Sequence, residues 1–480
     1  MQKILVLIIS FLVTPAFSGC MEVEDNRVII EEPTPFDFAV PIPVTTFYHY
    51  GNSVSALNGT FDDFIENNVP VFTEGTYYSM GVTTFEPTLG VTMSGALFMT
   101  AWNQGQNGAT AIVKCTGIRE MTNLSEYLCE DVGPATVPNS NDPYLYVDLW
   151  TDRIMKFDMH ALAGMTVEYS DDDGMTWQTS APTSGVYTPQ DHQTIASTPT
   201  PPDYFGPPLQ YDTVWVYCIN TGAQGPIGSQ CETSWNGGES WDGQVIGHPA
   251  SSQCAGLTGH LVGANNGYIY RGNPSCDGPA AYRSSDGGRT WTEHTINTET
   301  GTATHEIALA TDDDSNVHAF WIGENKLPYY SYSIDNANTW SEAIMVAPPG
   351  VTGTGFPTVA AGSAGRVAVG YIGQSGNGSW NGYMSIMTDA FNDNPLITTV
   401  AVNAPDDPLD NTEDCGYRRC GGFGDFIDLV IDLDGRPWIA LANNLADEVG
   451  IFGTISEGPS LRGDTLEVLP PILPGGSATL

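Results

Sequence analysis

Ser284-Ser285-Asp286-Gly287-Gly288-Arg289-Thr290-Trp291 restricts what this chain can fold into more than any other stretch, because it recurs. Ser170 to Trp177 (SDDDGMTW) repeats its serine, aspartate, glycine, threonine and tryptophan in register. Ser333 to Trp340 (SIDNANTW) has Ala337 in the glycine position, and Ser234 to Trp241 (SWNGGESW) has Asn236 and Ser240 in place of aspartate and threonine. The residue types suit a tight hairpin turn: aspartate accepts N–H bonds inside its own turn, glycine takes a positive φ, and tryptophan returns the chain to an apolar layer. The octets start at 170, 234, 284 and 333, steps of 64, 50 and 49 residues. A period of that size belongs to a propeller or an array rather than a single sheet.

Between the octets runs a repeated phrase: a lead of proline, histidine or acid, then a strand, a turn and an aromatic-rich strand, a third strand, the octet or its remnant, and a fourth. Its clearest copy begins at His305-Glu306 and runs through IALATDDDSNVHAFWIG to SEAIMV. Others are led by Glu86-Pro87, Asp142-Pro143, Asp191-His192, Gly259-His260, Phe356-Pro357 and Asp425-Phe426, which makes seven. Short apolar or alternating runs separated by DG, NG and SG carry the hairpin signal. The expected fold is all-β: a seven-bladed β-propeller of four-stranded blades over residues 86–470, with six blades as the alternative.

The octets resemble the Asp-box (BNR) repeat of the sialidase-like superfamily of β-propellers. That family's activity uses three arginines gripping a carboxylate, a tyrosine nucleophile assisted by a glutamate, and an aspartate as acid/base. Its early arginine sits in a Phe-Arg-Ile-Pro motif, and the nearest match, Asp152-Arg153-Ile154-Met155, lacks the proline and falls on the second strand of a blade. Arg271, Arg366, Arg418 and Arg419 are the other candidates, and no pattern assigns them a role. The resemblance implies a glycan-directed propeller and leaves open whether it is an exo-sialidase-like glycoside hydrolase. HExxH, GxSxG, a phosphate loop and a full EF-hand loop are all missing from the sequence.

In a propeller the innermost strands all start on one face, so their leads ring the channel. Glu86, Asp142, Asp191, His192, His260, His305, Glu306 and Asp425 are therefore the expected ligand-binding residues, suited to a divalent cation or to sugar hydroxyls. Phe356 takes the same place in its unit. The plainer alternative is that such residues merely fit a bend before a strand. The inserts Thr179 to Gln190, Pro199 to Tyr211 and Ala401 to Gly424 are expected to overhang this ring. The last holds Arg418 and Arg419 inside Cys415–Cys420, and a paired-arginine fork suits a carboxylate. Asp191, Arg418 and Arg419 are the candidate catalytic residues. The aspartate runs 171–173 and 312–314 read as turns, with structural calcium the one cofactor left open.

Lys+Arg 15 against Asp+Glu 56 gives a net charge of −41, which repels phosphate backbones and anionic lipid and so excludes nucleic acid as a partner. Met1-Gln2-Lys3, the apolar run 4–17 and Phe17-Ser18-Gly19-Cys20 read as an export signal over residues 1–19. Its end resembles a bacterial lipobox, which implies lipidation of Cys20; ordinary cleavage near Ala16 is the alternative. Residues 20–43 read as the lipidated cysteine with an acidic, proline-punctuated tether, 44–85 as an irregular segment in which Val69 to Tyr78 offers an edge or closing strand, and 471–480 as a flexible tail. Nine cysteines less Cys20 leave an even eight, and nearest-neighbour pairing gives Cys115 with Cys129, Cys218 with Cys231, Cys254 with Cys276 and Cys415 with Cys420. The chain is thus expected to be an exported, cell-envelope- or surface-anchored monomer that meets the membrane only through its lipid. Its expected partner is a glycan, or alternatively an envelope protein docked by a non-catalytic scaffold.

Overall fold

The computed structural model describes residues 46–50, 74–101, 110–116, 128–134, 142–160, 164–180, 190–221, 229–248, 259–303, 307–348, 350–393, 395–403, 407–412, 420–445, 449–457 and 459–463. The first five blades each use four strands consecutive in sequence. From the innermost outward they are Leu89–Val91, Leu97–Ala101, Ala111–Thr116 and Leu128–Asp131; Pro143–Val147, Ile154–His160, Gly164–Ser170 and Gln178–Thr179; Gln190–Pro199, Thr213–Thr221, Ser229–Ser234 and Val245–Ile246; Leu261–Gly263, Ile269–Ser275, Gly278–Ser284 and Thr292–Thr295; and Ala308–Thr311, Val317–Ile322, Pro328–Ser333 and Ile344–Met345. Blade six has Val351–Ala361, Val367–Ser375, Trp380–Met387 and Leu396–Ala401, and blade seven has Asp428–Ile431, Pro437–Asn443 and Val449–Glu457.

The N-terminal chain completes these last two. Glu74–Thr83 pairs antiparallel with Val449–Glu457 as the fourth strand of blade seven, and Thr46–Tyr50 adds a fifth to blade six against Leu396–Ala401. Seven cores lie between consecutive blades. One of them packs Trp438, Ala440 and Phe452 of blade seven on Leu89, Leu97 and Met99 of blade one, which closes the ring. A closed ring leaves no open sheet stack, because each blade's apolar faces are covered by its neighbours.

The octets are turns held by their own side chains. In the one at Ser284, Gly288 N–H donates to Ser284 Oγ (2.8 Å), Thr290 N–H and Oγ1–H donate to the two Asp286 oxygens (2.9 and 2.6 Å), and Trp291 Nε1–H donates to Gly288 O (3.0 Å). The octet at Ser170 repeats all four contacts. Asn236 in the divergent octet still accepts from Ser240 N–H (3.1 Å). Ala337 holds a φ of 64°, the value a glycine would take there without steric cost.

Two expected disulfides form, Cys115–Cys129 and Cys218–Cys231, each between residues facing each other on neighbouring strands. Cys276 and Cys420 are also disulfide-bonded, while Cys254 and Cys415 lie outside the described residues. Such bonds persist in oxidising compartments, the environment this body is built for. Among the described residues no helix is long and apolar enough to cross a membrane. Cys20, the export signal, the tether and the 471–480 tail lie outside the described residues.

Candidate ligand site at the leading mouth of the channel

All innermost strands begin on one face, here the leading face, and run toward the opposite, trailing face. Adjacent innermost strands are clasped by side chains at their starts. Asp428 Oδ2 accepts Leu89 N–H (2.8 Å), Thr88 Oγ1 accepts Leu145 N–H (2.8 Å), and Thr194 Oγ1 accepts Leu261 N–H (2.7 Å). These bonds satisfy backbone donors that no ladder reaches, so the mouth is a rigid frame rather than a set of loops.

Behind this frame lies a buried charged cluster. Glu86 donates its backbone N–H to Gly422 O (2.9 Å), and its Oε1 accepts Asp425 N–H (2.9 Å). His192 Nε2 lies 3.5 Å from Asp425 Oδ2, and His192 N–H donates to Asp191 Oδ1 (2.8 Å). Burial alone would push the imidazole down, but the contact with Asp425 and the charges of Asp191, Glu86 and Asp425 outweigh it and hold it up at about 10. Asp142 is buried, and its carbonyl accepts Gln193 Nε2–H (2.7 Å).

His260 behaves in the opposite way. Burial, and then the nearby His192 charge, push its imidazole down to about 3, so it is neutral. Phe426 lies edge-on to both rings, 4.6 Å from His260 and 5.6 Å from His192, and Tyr144 meets His260 edge-on at 5.2 Å. His260 and Tyr144 face a channel cavity of about 230 Å³ with Thr358 and Asp428. Burial pushes the Asp428 carboxyl up to about 6 despite two backbone N–H donors. Below this belt the wall is aliphatic, with Leu145, Leu261, Leu309, Val359 and Leu429 among its residues.

The expected ring is therefore split. Of its described members His260 lines the channel, whereas Glu86, Asp142, His192 and Asp425 are buried behind it and Asp191 is half-buried. At three leads the backbone turns left-handed: Glu86, His192 and Phe356 have φ of 48°, 51° and 53°, and pairing slips at Asp191/Thr194 and Gly355/Thr358. A left-handed residue at a bulge breaks the in-out alternation and re-aims the side chain. His305, Glu306, Arg418 and Arg419 lie outside the described residues. Composition alone had no means of marking Tyr144, Thr358 and Asp428, since each reads as an ordinary strand residue.

The described arginines are engaged elsewhere. Arg153 holds Asp171 with two bonds (2.7 and 2.9 Å) and Gly237 O (2.6 Å) among trailing-face turns. Arg271 is wholly buried, bonded to Ser229 Oγ and Gly247 O, and burial pushes it down to about 10. Arg366 donates to Ser460 O (2.6 Å), and Arg462 lines the channel at its trailing end. The 199–211 insert joins the first and second strands of its blade, so it emerges on the trailing face rather than over the ring. The aspartate runs are spent on turns: Asp172 on Thr176, Asp312 on Asn316 and His318. Among the described residues no group of three or more His, Cys, Asp or Glu side chains is arranged to hold a metal ion.

No family model matches the sequence, and no curated protein matches it. Solved structures resemble the chain at low identity, with TM-scores below 0.5. A protein of unknown function from Dyadobacter fermentans is 13% identical with a TM-score of 0.42, covering 78% of this chain and 94% of that one. The fucose-specific lectin of Aleuria aurantia is 11% identical with a TM-score of 0.42, covering 67% and 97%. The Hadza microbial sialidase Hz136 is 15% identical with a TM-score of 0.40, covering 67% and 66%.

Proposed function

We propose that this chain is a glycan-binding propeller of the cell envelope, exported and anchored through a lipid on Cys20, that takes its sugar at the leading mouth of the channel. The observation that carries the reading is the pairing of neutral His260 with Tyr144 on the channel wall, backed by the charged His192–Asp425–Glu86 cluster. A neutral imidazole both donates and accepts a hydrogen bond, and a tyrosine offers an apolar ring with a hydroxyl, which together suit a hydroxyl-bearing ring. The strong negative charge favours neutral sugars over acidic ones.

The site supports binding rather than hydrolysis, because its carboxylates are engaged in the frame and Arg462, the arginine among its described lining residues, stands at the trailing end of the channel. A glycan array probed with the chain from residue 21 tests the reading. Binding is expected to a restricted set of neutral glycans, with His260→Ala weakening it at least about tenfold, the scale of one or two lost polar contacts. Silence across the array, or binding indifferent to His260→Ala in a folded variant, would overturn it. Turnover of aryl glycosides lost on changing Asp191 or Arg418 would extend the reading to an enzyme.

A further inference from the structure

On the trailing face the channel opens into a second cavity of about 280 Å³, where Met93, Leu149, Trp150 and Leu433 stand among the carboxylates of Asp148, Asp152, Asp312 and Asp313. Met93, Leu149 and Leu433 stand on the turns after the innermost strands of blades one, two and seven, which are consecutive around the ring. They are 62%, 63% and 43% exposed. Antiparallel order puts every first-to-second and third-to-fourth connection of a blade on this same face. Six of the eight exposed large hydrophobics among the described residues lie on such connections, with Met175, Phe205 and Ile334 completing the set. Scattered exposed apolar side chains need no explanation, but a concentration of six of eight on one face of a chain with net charge −41 does.

The same rim is charged. Asp152 and Asp313 line it beside Arg462, whose Nη1 is 3.7 Å from Asp313. Asp152 accepts Met93 N–H (2.8 Å), so one apolar residue and one carboxylate are fixed side by side.

We propose that this trailing mouth docks a cationic amphipathic segment of a partner protein, whose leucine-sized side chains cover Met93, Leu149 and Leu433 while its lysines or arginines meet Asp152 and Asp313. Charge decides among occupants. A second copy of this chain and an anionic membrane would both be repelled by the field of the molecule, whereas a basic segment is drawn in and then held by apolar cover. Its rim residues Met93 and Leu433 lie at the opposite end of the channel from His260, while Leu149 and Arg462 line both cavities; the proposal does not rest on the glycan reading.

The test uses the full chain in detergent and a labelled amphipathic leucine–lysine peptide of roughly fourteen residues, four helical turns, read by fluorescence anisotropy. Controls are a scrambled peptide of equal charge and one with glutamate for lysine. The amphipathic peptide is expected to bind best. Met93→Ser with Leu149→Ser should weaken it at least about tenfold, as removal of two apolar anchors implies. Leu433→Ser serves as a second variant if the pair unfolds. Asp152→Asn should reduce the salt dependence between about 0.05 and 0.3 M, and His260→Ala should leave binding unchanged. Equal binding of the scrambled peptide, wild-type binding by folded apolar variants, or preferential capture of anionic vesicles or of a second copy would each overturn the proposal.

Discussion

At His192 three carboxylates decide a protonation state. The folded imidazole titrates near 10 against an ordinary 6.5, so it is raised. A raised cation stabilises the fold fully below pH 6.5, and that contribution declines as pH climbs from there to about 10, a loss on the order of 3–5 kcal/mol. Asparagine tolerates the left-handed backbone that His192 adopts. His192→Asn should therefore lower Tm far more at pH 6 than at pH 10, and parallel Tm-against-pH curves for the two proteins would contradict this account. The residue types at the leads were legible in the sequence, because Glu86, Asp142, Asp191 and Asp425 each open a unit of the repeated phrase and His192 follows Asp191. Their directions were not. Which side chain reaches the channel depends on a φ of about 50° at Glu86 and His192, a backbone property that no residue name carries.

Among elements, the octets show how a turn can be specified by side chains while its partner blade limits what varies. A Cβ on Gly288 would lie 2.6 Å from Val216 Cγ1 of the preceding blade, at a φ of 83°. Gly288→Ala should cost about 2–4 kcal/mol from left-handed strain plus overpacking, measured by urea unfolding. Ala337→Gly sits on the opposite side of the same balance, with backbone relief set against loss of a buried methyl, and should shift stability by less than about 1 kcal/mol. A large loss there would mean that the Ala337 methyl packs in a way glycine cannot replace. The octets were readable because their polar residues bond within eight positions, a local signal. The Thr46–Tyr50 strand was not, since a fifth, outermost strand takes its place from a partner hundreds of residues away and has no period of its own.

For the molecule as a whole, ring closure depends on the N-terminal chain. A version beginning at residue 45 should keep the thermal midpoint of the longer chain. One beginning at residue 85 strips both added strands, bares the edge of Val449–Glu457, and should melt lower and associate on size-exclusion chromatography. Equal midpoints for the two truncations would remove the closing role assigned to Glu74–Thr83. The number of blades was legible from seven leads and four octets, whereas the aliphatic channel wall was not, because inward strand positions resemble core positions until the axis is known. Completing the sixth and seventh sheets with the earliest strands also sets an order of events. Synthesis makes those two segments before the others described, yet their mates are in the last blades made. Assembly then waits on the last blades, and a factor that masks bare strand edges would hold Thr46–Tyr50 and Glu74–Thr83 until their mates are made.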